Sequence, residues 1–303
     1  MNRRTWIAAG AGFAGAALTG NAFAQSLTPL DVAYAGSMGS MMEGPVKAAV
    51  AKTLGIDMHG RAQGSDALAQ LIAGGSIPVD VFVPVTAGPM VTVIKAGKAL
   101  HAVPIARTEM VIAYSPKSSY ANAFANAGKA GAMPWYQILQ QPGFRFGRTD
   151  PATDPQGRNI IFTMQLAEAY YKQPGMAAKI LGDAVNAAQI FAEPTVEARL
   201  QSGELDAASA YRIQPGPFGL PFVQLPEEIN LGNQSMHTAY QRASLELNGK
   251  TYRPQALVYY AAALTGAPHA DKAAAFVQWF SSAEAEAILQ KYAYDSPVGA
   301  APL

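Results

Sequence analysis

Short apolar segments alternate with helical patterns over the first hundred residues, and this alternation limits the possible folds more than any other feature. Strands are predicted at Leu30–Tyr34, Ile56–Ala62 and Val79–Val83, and helices at Met41–Leu54 and Asp66–Ala73. The run Val79–Val83 is nearly unbroken and apolar, as expected for a parallel strand that is buried on both faces. Such a β-α-β-α-β series predicts a parallel sheet with helices on both sides.

A second block of strands and helices follows, and no Gly/Ser/Pro linker separates it from the first. Its main strands are predicted at Thr108–Ser115, Phe144–Arg148, Leu205–Tyr211 and Gln255–Leu264. The first and last of these strands are long, and we predict that they cross between two lobes. Residues 26–107 and 256–303 then form lobe I, and residues 108–255 form lobe II. The predicted fold is α/β and two-lobed, each lobe a mainly parallel sheet flanked by helices, with a cleft between the lobes.

Two local patterns near the end of the chain are more specific. Asn248-Gly249 lies between two strand-like segments, which predicts a type I′ hairpin. Two amphipathic helices are predicted after it, at about 271–280 and 283–292. The chain is therefore expected to end in helices that cover lobe I.

The N-terminus has the pattern of an export signal. Arg3 and Arg4 precede an apolar stretch from Trp6 to Leu18, and Ala22-Phe23-Ala24 gives a small-x-small cleavage site. We predict a signal peptide at residues 1–24 and a periplasmic protein. The paired arginines also resemble a twin-arginine signal, and the export route stays open.

Composition excludes several classes of function. The chain has no cysteine, so thiolate metal sites and cysteine nucleophiles are excluded. The formal net charge is +1 without a long basic run, which argues against nucleic acid as a partner. Half of the residues are apolar, enough for a sizeable core. We expect neither a resident metal nor a cofactor.

At four places a predicted strand ends in small or polar residues and a helix begins. They are Ala35-Gly36-Ser37-Met38, Gln63-Gly64-Ser65-Asp66, Pro84-Val85-Thr86-Ala87, and Thr149 through Gly157. The start of a helix carries free N–H groups and partial positive charge, so several starts around one cleft make an anion site. In open α/β sheets, ligands lie beyond the carboxyl ends of the strands. Each serine also has a simpler explanation, with Ser65 as a helix N-cap and Ser37 as a turn residue.

These motifs, in this order, resemble the periplasmic binding proteins of molybdate and tungstate ABC importers, a type II solute-binding family. The resemblance extends from about Leu30 to Val298. It rests on Tyr34-Ala35-Gly36-Ser37, Gly64-Ser65, Ala73-Gly74-Gly75, Val79-Asp80-Val81-Phe82, Gly147-Arg148-Thr149-Asp150-Pro151, Asp154-Pro155-Gln156-Gly157, Gly203-Glu204-Leu205-Asp206-Ala207-Ala208, Tyr211-Arg212, and the last helix pair around Phe276 and Ala283–Leu289.

The resemblance implies a monomeric extracytoplasmic protein that closes on tungstate or molybdate and delivers it to an ABC permease and its ATPase. It places Ser37 and Ser65 on the oxyanion from lobe I, beside the backbone of Val85 and Thr86. It also places two groups of lobe II on the oxyanion: the turn that contains Asp154 and Gln156, and the Tyr211 hydroxyl.

One position departs from the family's pattern. In the tungstate-binding branch two carboxylates can reach the metal; Asp154 matches one of them, but Ala210 stands at the other. The resemblance with this departure implies a four-coordinate oxyanion held by hydrogen bonds. Asp154 then either adds a weak fifth contact or only caps the helix that begins near Gly157.

Rival functions remain. The same fold would serve a protein for sulfate, phosphate or a small organic acid. An organic acid calls for an arginine clamp, and we expect Arg148, Arg158 and Arg212 to face outward. A donor-only site disfavours hydrogen phosphate, whose proton needs an acceptor. A less favoured rival is a secreted serine hydrolase that uses Ser37, since Ala35-Gly36-Ser37-Met38-Gly39 resembles a nucleophile elbow. The four histidines have no metal-ligand spacing, and His59 alone lies near a strand end.

Overall fold

The structure is a computed structural model that describes residues 26–303. The predicted signal peptide, residues 1–24, lies outside the described residues. In the described part of the chain, no helix combines the length and the apolar character that a membrane span needs.

Strands and helices alternate through most of this range. The strands are β1 (Thr28–Ala35), β2 (Ile56–Gln63), β3 (Val81–Val83), β4 (Val103–Arg107), β5 (Met110–Tyr114), β6 (Phe146–Gly147), β7 (Ala207–Tyr211), β8 (Phe222–Gln224), β9 (Leu245–Leu247), β10 (Lys250–Tyr252) and β11 (Val258–Ala263). The α-helices are α1 (Gly39–Met41), α2 (Lys47–Leu54), α3 (Ser65–Ala73), α4 (Ala87–Lys95), α5 (Ala121–Asn126), α6 (Trp135–Ile138), α7 (Pro155–Tyr171), α8 (Met176–Leu181), α9 (Glu193–Ser202), α10 (His237–Tyr240), α11 (Ala270–Trp279) and α12 (Ala283–Lys291). Short 3-10 turns lie at Gly36–Met38, Gly216–Phe218 and Gln234–Met236, and a π-helical turn at Met42–Val46.

The first sheet has the strand order β2-β1-β3-β11-β4. The strand β1 is parallel to β2 and β3, whereas β11 is antiparallel to β3 and β4. Helices α3 and α4 cover one face of this sheet through Leu68, Ile72, Met90 and Val93. Helices α2 and α11 cover the other face, where Val50 and Phe276 belong to the core that contains Leu30 and Val32.

The second sheet has the order β6-β7-β5-β8, and only β6 and β7 pair in parallel. The fold is the two-lobed α/β class that the sequence predicts. The expectation of mainly parallel sheets is wrong in detail, because both sheets are mixed. Strands β5 and β11 run against their neighbours, and a buried apolar run indicates burial without indicating direction.

The chain passes between the two sheets at two adjacent places. Strand β4 ends at Arg107 in the first sheet and β5 begins at Met110 in the second. The return segment lies beside this crossing, since the Thr108 N–H donates to the Leu257 carbonyl at 2.9 Å. We therefore propose lobe I as residues 26–107 and 256–303 and lobe II as residues 108–255, with the paired crossings as the hinge.

The carboxyl ends of β1, β2 and β3 lie at one edge of the first sheet. Their registers align Tyr34 with both Ala62 and Val83. After each strand the chain turns into a helix: the 3-10 turn at Gly36–Met38, then α3, then α4. In the second lobe β6 leads through a loop to α7, the longest helix at 17 residues in the described range. Four helix starts of the predicted kind are therefore present.

Candidate functional site

Ser65 begins α3, and its side chain bonds to the neighbouring strand end. The N-cap of α3 is Gly64, and no side chain caps this helix, so the N-cap explanation of Ser65 is wrong. Ser65 is 1% exposed, and its Oγ accepts the Val85 N–H at 3.1 Å. A hydroxyl that accepts one hydrogen bond still has its proton to donate. The arrangement therefore provides a neutral O–H donor beside the ends of β2 and β3.

Val85 and Thr86 present less backbone than the resemblance implies. The Val85 N–H is bonded to Ser65, and the Thr86 N–H donates to the Val258 carbonyl at 2.9 Å. Thr86 is buried and has φ 65° and ψ 159°. This region is nearly restricted to glycine and costs on the order of 1–3 kcal/mol, and such strain concentrates at functional sites. In this geometry the Val85 N–H orients the Ser65 hydroxyl. Thr86, at the start of α4, then has its side-chain hydroxyl as its polar group for a ligand.

Ser37 reaches the same region through a tyrosine that the sequence analysis missed. Its Oγ lies 3.0 Å from the Tyr259 Oη, and either hydroxyl can donate. Tyr259 also pairs with Val85 through an isolated antiparallel bridge, so Ser37 and Val85 both neighbour it. Burial raises the pKa of Tyr259, which keeps the phenol neutral. Tyr259 lies 222 residues from Ser37 in the chain, and in the sequence it is only one tyrosine in a long apolar strand.

From the second lobe Tyr211 contributes another neutral hydroxyl. Tyr211 is 1% exposed, and its Oη accepts the Nδ2–H of Asn159 at 3.0 Å. Burial, then the Asp154 charge, raises the pKa of Tyr211 well above its usual value. Like Ser65, the phenol accepts a bond from the protein and keeps its proton to donate. Asn159, one turn beyond Gln156 on α7, is a second residue that the sequence analysis missed.

Asp154 and Gln156 organise the start of α7. The Asp154 carboxylate accepts the Gln156 N–H at 2.9 Å, so it caps this helix, as one of the two sequence interpretations had it. The Gln156 side chain turns toward β7, donating to the Ser209 carbonyl at 3.1 Å and to Gln214 Oε1 at 3.0 Å. Burial raises the pKa of Asp154 to about 6, against the lowering effect of the capping bond.

The starts of α3 and α7 lie against each other, and we call this contact between the two proposed lobes the seam. Gly64 packs on the backbone of the loop before α7, since a Cβ there would lie 2.9 Å from the Thr153 carbonyl oxygen. An ion pair between Asp66 and Arg158 also joins α3 to α7. A cavity of about 350 Å³ opens on this seam, lined by residues of both lobes that include Gln63, Gly64, Thr149, Asp154 and Glu193.

Two of the three arginines, Arg148 and Arg158, are buried, contrary to the expectation that all three face outward, whereas Arg212 is partly exposed. Arg148 is fully buried, and its guanidinium donates to the carbonyls of Leu181, Asp183 and Ala184 and to Gln189 Oε1. Arg212 pairs with Glu109 and Asp295. Arg158 is buried at the seam, where it binds Asp66, donates to the Pro151 carbonyl at 2.9 Å and covers the Tyr252 ring. Charged guanidinium groups find buried partners because leaving them unpaired in the interior is costly.

The environment of Ser37 does not resemble a hydrolase nucleophile. In residues 26–303 the hydrogen-bond partner recorded for its hydroxyl is the Tyr259 phenol. His59 is exposed and lies near Asp57 and Asp31 on the surface. A serine nucleophile needs a base within hydrogen-bond reach.

Known proteins share both the sequence pattern and the fold. The sequence model of the bacterial extracellular solute-binding protein family matches residues 30–295. An uncharacterized solute-binding protein of Petrotoga mobilis is 30% identical over 192 residues, which is 61% of this chain and 58% of the relative. The molybdate/tungstate-binding protein WtpA of Thermococcus kodakarensis is 28% identical over 207 residues, 61% of this chain and 57% of the relative. The match thus spans a little over half the length of these curated relatives.

A solved structure agrees at the level of fold. The periplasmic molybdate-binding protein of Azotobacter vinelandii superposes with a TM-score of 0.60 at 19% identity, covering 88% of this chain and 99% of that chain.

Proposed function

This chain belongs to the bacterial extracellular solute-binding protein family, and from that premise we propose that it captures a tetrahedral oxyanion, molybdate or tungstate, between its lobes. The observation that carries the proposal is the set of neutral hydroxyl donors at helix starts and strand ends of the two proposed lobes. Ser65 and Tyr211 each accept one hydrogen bond from the protein and keep a hydroxyl proton for a ligand. With Ser37 and Thr86, these hydroxyls suit a dianion that carries no proton of its own.

The proposed mechanism is capture by closure. An open form admits the oxyanion, the lobes hinge at the paired crossings, and the ligand exchanges water for preformed donors at the helix starts. Loaded protein in the periplasm then docks to an ABC permease, which an ATPase drives. The names of the relatives support this proposal, and the donor chemistry of the seam supports it independently.

An organic acid is the second candidate, because Arg158 lies buried at the seam. A hollow of about 180 Å³ beside it is lined by residues that include Thr86, Arg158 and Asn159. The guanidinium is already bonded to Asp66 and to a backbone carbonyl, which leaves it less free to clamp a carboxylate. An oxyanion therefore remains the favoured ligand.

A thermal-shift panel tests the proposal. Tungstate, molybdate, sulfate, phosphate, chromate and a small dicarboxylate are each added to the full chain. A ligand at 100 times its dissociation constant stabilises the folded state by about 2.7 kcal/mol, which is readily measured. We expect molybdate or tungstate to give the largest rise in melting temperature. A shift with the dicarboxylate alone favours the second candidate, and no shift with any of these anions contradicts both.

Closure itself predicts a specific effect at Gly64. An alanine there fits the backbone, since φ is −53°, but its methyl group would lie 2.9 Å from the Thr153 carbonyl oxygen in the other lobe. Overpacking of this kind costs about 1–3 kcal/mol, so we expect Gly64→Ala to weaken molybdate binding about tenfold or more. The control is Gly39→Ala, whose methyl group meets no atom within 4 Å. Equal affinities for the two variants in isothermal titration would argue against closure at this seam.

A further inference from the structure

A partly buried carboxyl group crosses the seam and lies beside one of the segments proposed to bind the oxyanion. Glu193 is the first residue of α9 in lobe II. Its carboxylate lies against Gly36 of lobe I so closely that any Cβ on Gly36 would collide with it. The Ser37 backbone N–H lowers the pKa of the same carboxyl group, so it lies close to it. The structure therefore shows a carboxyl group beside Ser37, one of the residues that the resemblance assigns to the ligand.

The surroundings of Glu193 disfavour its ionised form. Among the described residues, the charged groups that act on it are two further acids, Asp154 at the start of α7 and Glu197 one turn along α9. Three buried phenols lie near enough for the Glu193 charge to raise their pKa: Tyr211 from β7, Tyr259 from β11 and Tyr294 beyond α12. Burial first, and then the charges of Asp154 and Glu197, raise the pKa of Glu193 well above its usual value, against the lowering effect of the Ser37 N–H.

A dianion cannot share this region with an ionised Glu193 without repulsion, because partly buried charges are screened less than exposed ones. When protonated, the same carboxyl is neutral and gains an O–H donor. The two states of Glu193 thus have opposite effects on one ligand.

We propose that Glu193 is a proton-linked specificity residue of the anion site: the protein binds its oxyanion with Glu193 protonated and loses affinity when Glu193 ionises. This inference rests on the proposed function. It also implies a preference for oxyanions that accept a hydrogen bond from a carboxylic acid, and that carry no proton of their own at the pH of binding.

Titration calorimetry with molybdate between about pH 6 and about pH 9 tests the inference. If one proton is linked to binding, the affinity falls up to tenfold per pH unit above the pKa of Glu193. Across that range the wild-type protein takes up as much as one proton per molybdate, measured by comparing buffers with different ionisation enthalpies. Glu193→Gln, which copies the neutral form, should lose most of the pH slope. The matched control Glu204→Gln removes an exposed acid just after α9 and should titrate like the wild type.

Two readouts separate the failure of this inference from that of the proposed function. Molybdate binding with neither a pH slope nor proton uptake in the wild type, or with the same slope in Glu193→Gln, overturns the inference and leaves the function standing. If no oxyanion binds, the proposed function fails, and the inference fails with it.

The pH dependence of the melting temperature of the unliganded protein shows whether Glu193 titrates at all. An acid whose pKa is raised on folding loses stability as pH rises from its unfolded pKa through its folded pKa. Glu193→Gln should therefore melt higher than the wild type at about pH 8, with the difference disappearing below about pH 4. Equal melting temperatures at both pH values would contradict the raised pKa of Glu193.

Discussion

Replacing Ser65 by alanine is expected to weaken molybdate or tungstate binding by about one to two orders of magnitude. The substitution removes an O–H donor to a charged ligand, and hydrogen bonds to charged groups contribute about 1.5–3 kcal/mol. It also leaves the buried Val85 N–H without its 3.1 Å partner, so the end of β3 loses the contact that orients it. Isothermal titration at neutral pH measures the loss directly.

The control for Ser65→Ala is Ser40→Ala, in the same lobe and exposed to solvent. It should bind like the wild type. An affinity for Ser65→Ala within about twofold of the wild type would contradict the role of this hydroxyl, provided that the variant melts as a folded protein.

Replacing Arg148 by methionine is expected to lower the free energy of unfolding by about 3–5 kcal/mol without changing the affinity of the folded protein for oxyanion. Arg148 is 0% exposed, and methionine would leave the carbonyl acceptors of Leu181, Asp183 and Ala184 buried without a donor. Unsatisfied buried acceptors cost about 1–3 kcal/mol each, and the losses are not additive. Urea unfolding measures the stability, and titration below the transition measures the affinity.

Arg242→Met, an exposed arginine of the same lobe, is the control and should change stability little. The opposite result for Arg148→Met, intact stability with lost binding, would make Arg148 a ligand clamp and favour an organic acid. The pair of measurements thus separates a structural arginine from a recognition arginine.

Local sequence patterns predicted the order of elements well. The type I′ hairpin is confirmed: Asn248 and Gly249 have φ 52° and 72°, and β9 and β10 pair across them. The last two helices are found within one residue of the prediction at each end. Strand β4 was missed because Pro104 argues against a strand; it lies at the sheet edge, where proline is tolerated. Short-range chemistry decides such features, so they are visible in the sequence.

The candidate site could be predicted only in outline. Ser37, Ser65 and Tyr211 stand in motifs at strand ends, which made them candidates. Tyr259 was invisible because its partner is 222 residues away, and Glu193 at the start of α9 has the simple explanation of an acid in the first turn of a helix. Partners across a seam depend on how the lobes pack, which one sequence without its fold does not encode locally.

The direction of individual side chains was also beyond the sequence. The arginines were expected outside, yet Arg148 and Arg158 are buried, because enough carbonyl and carboxylate partners happen to surround them in the fold. The Gln156 side chain likewise points toward β7, because the Ser209 carbonyl accepts a hydrogen bond from its amide. A residue type indicates which bonds a side chain can make, and tertiary structure decides which of them it makes.

A crystal structure with tungstate, located by its anomalous scattering, tests the central claim most directly. We predict one strong peak between the lobes, with oxygens within hydrogen-bond distance of the hydroxyls of Ser37, Ser65 and Tyr211. A peak on the outer surface, or closed lobes with tungstate away from these three hydroxyls, would contradict it.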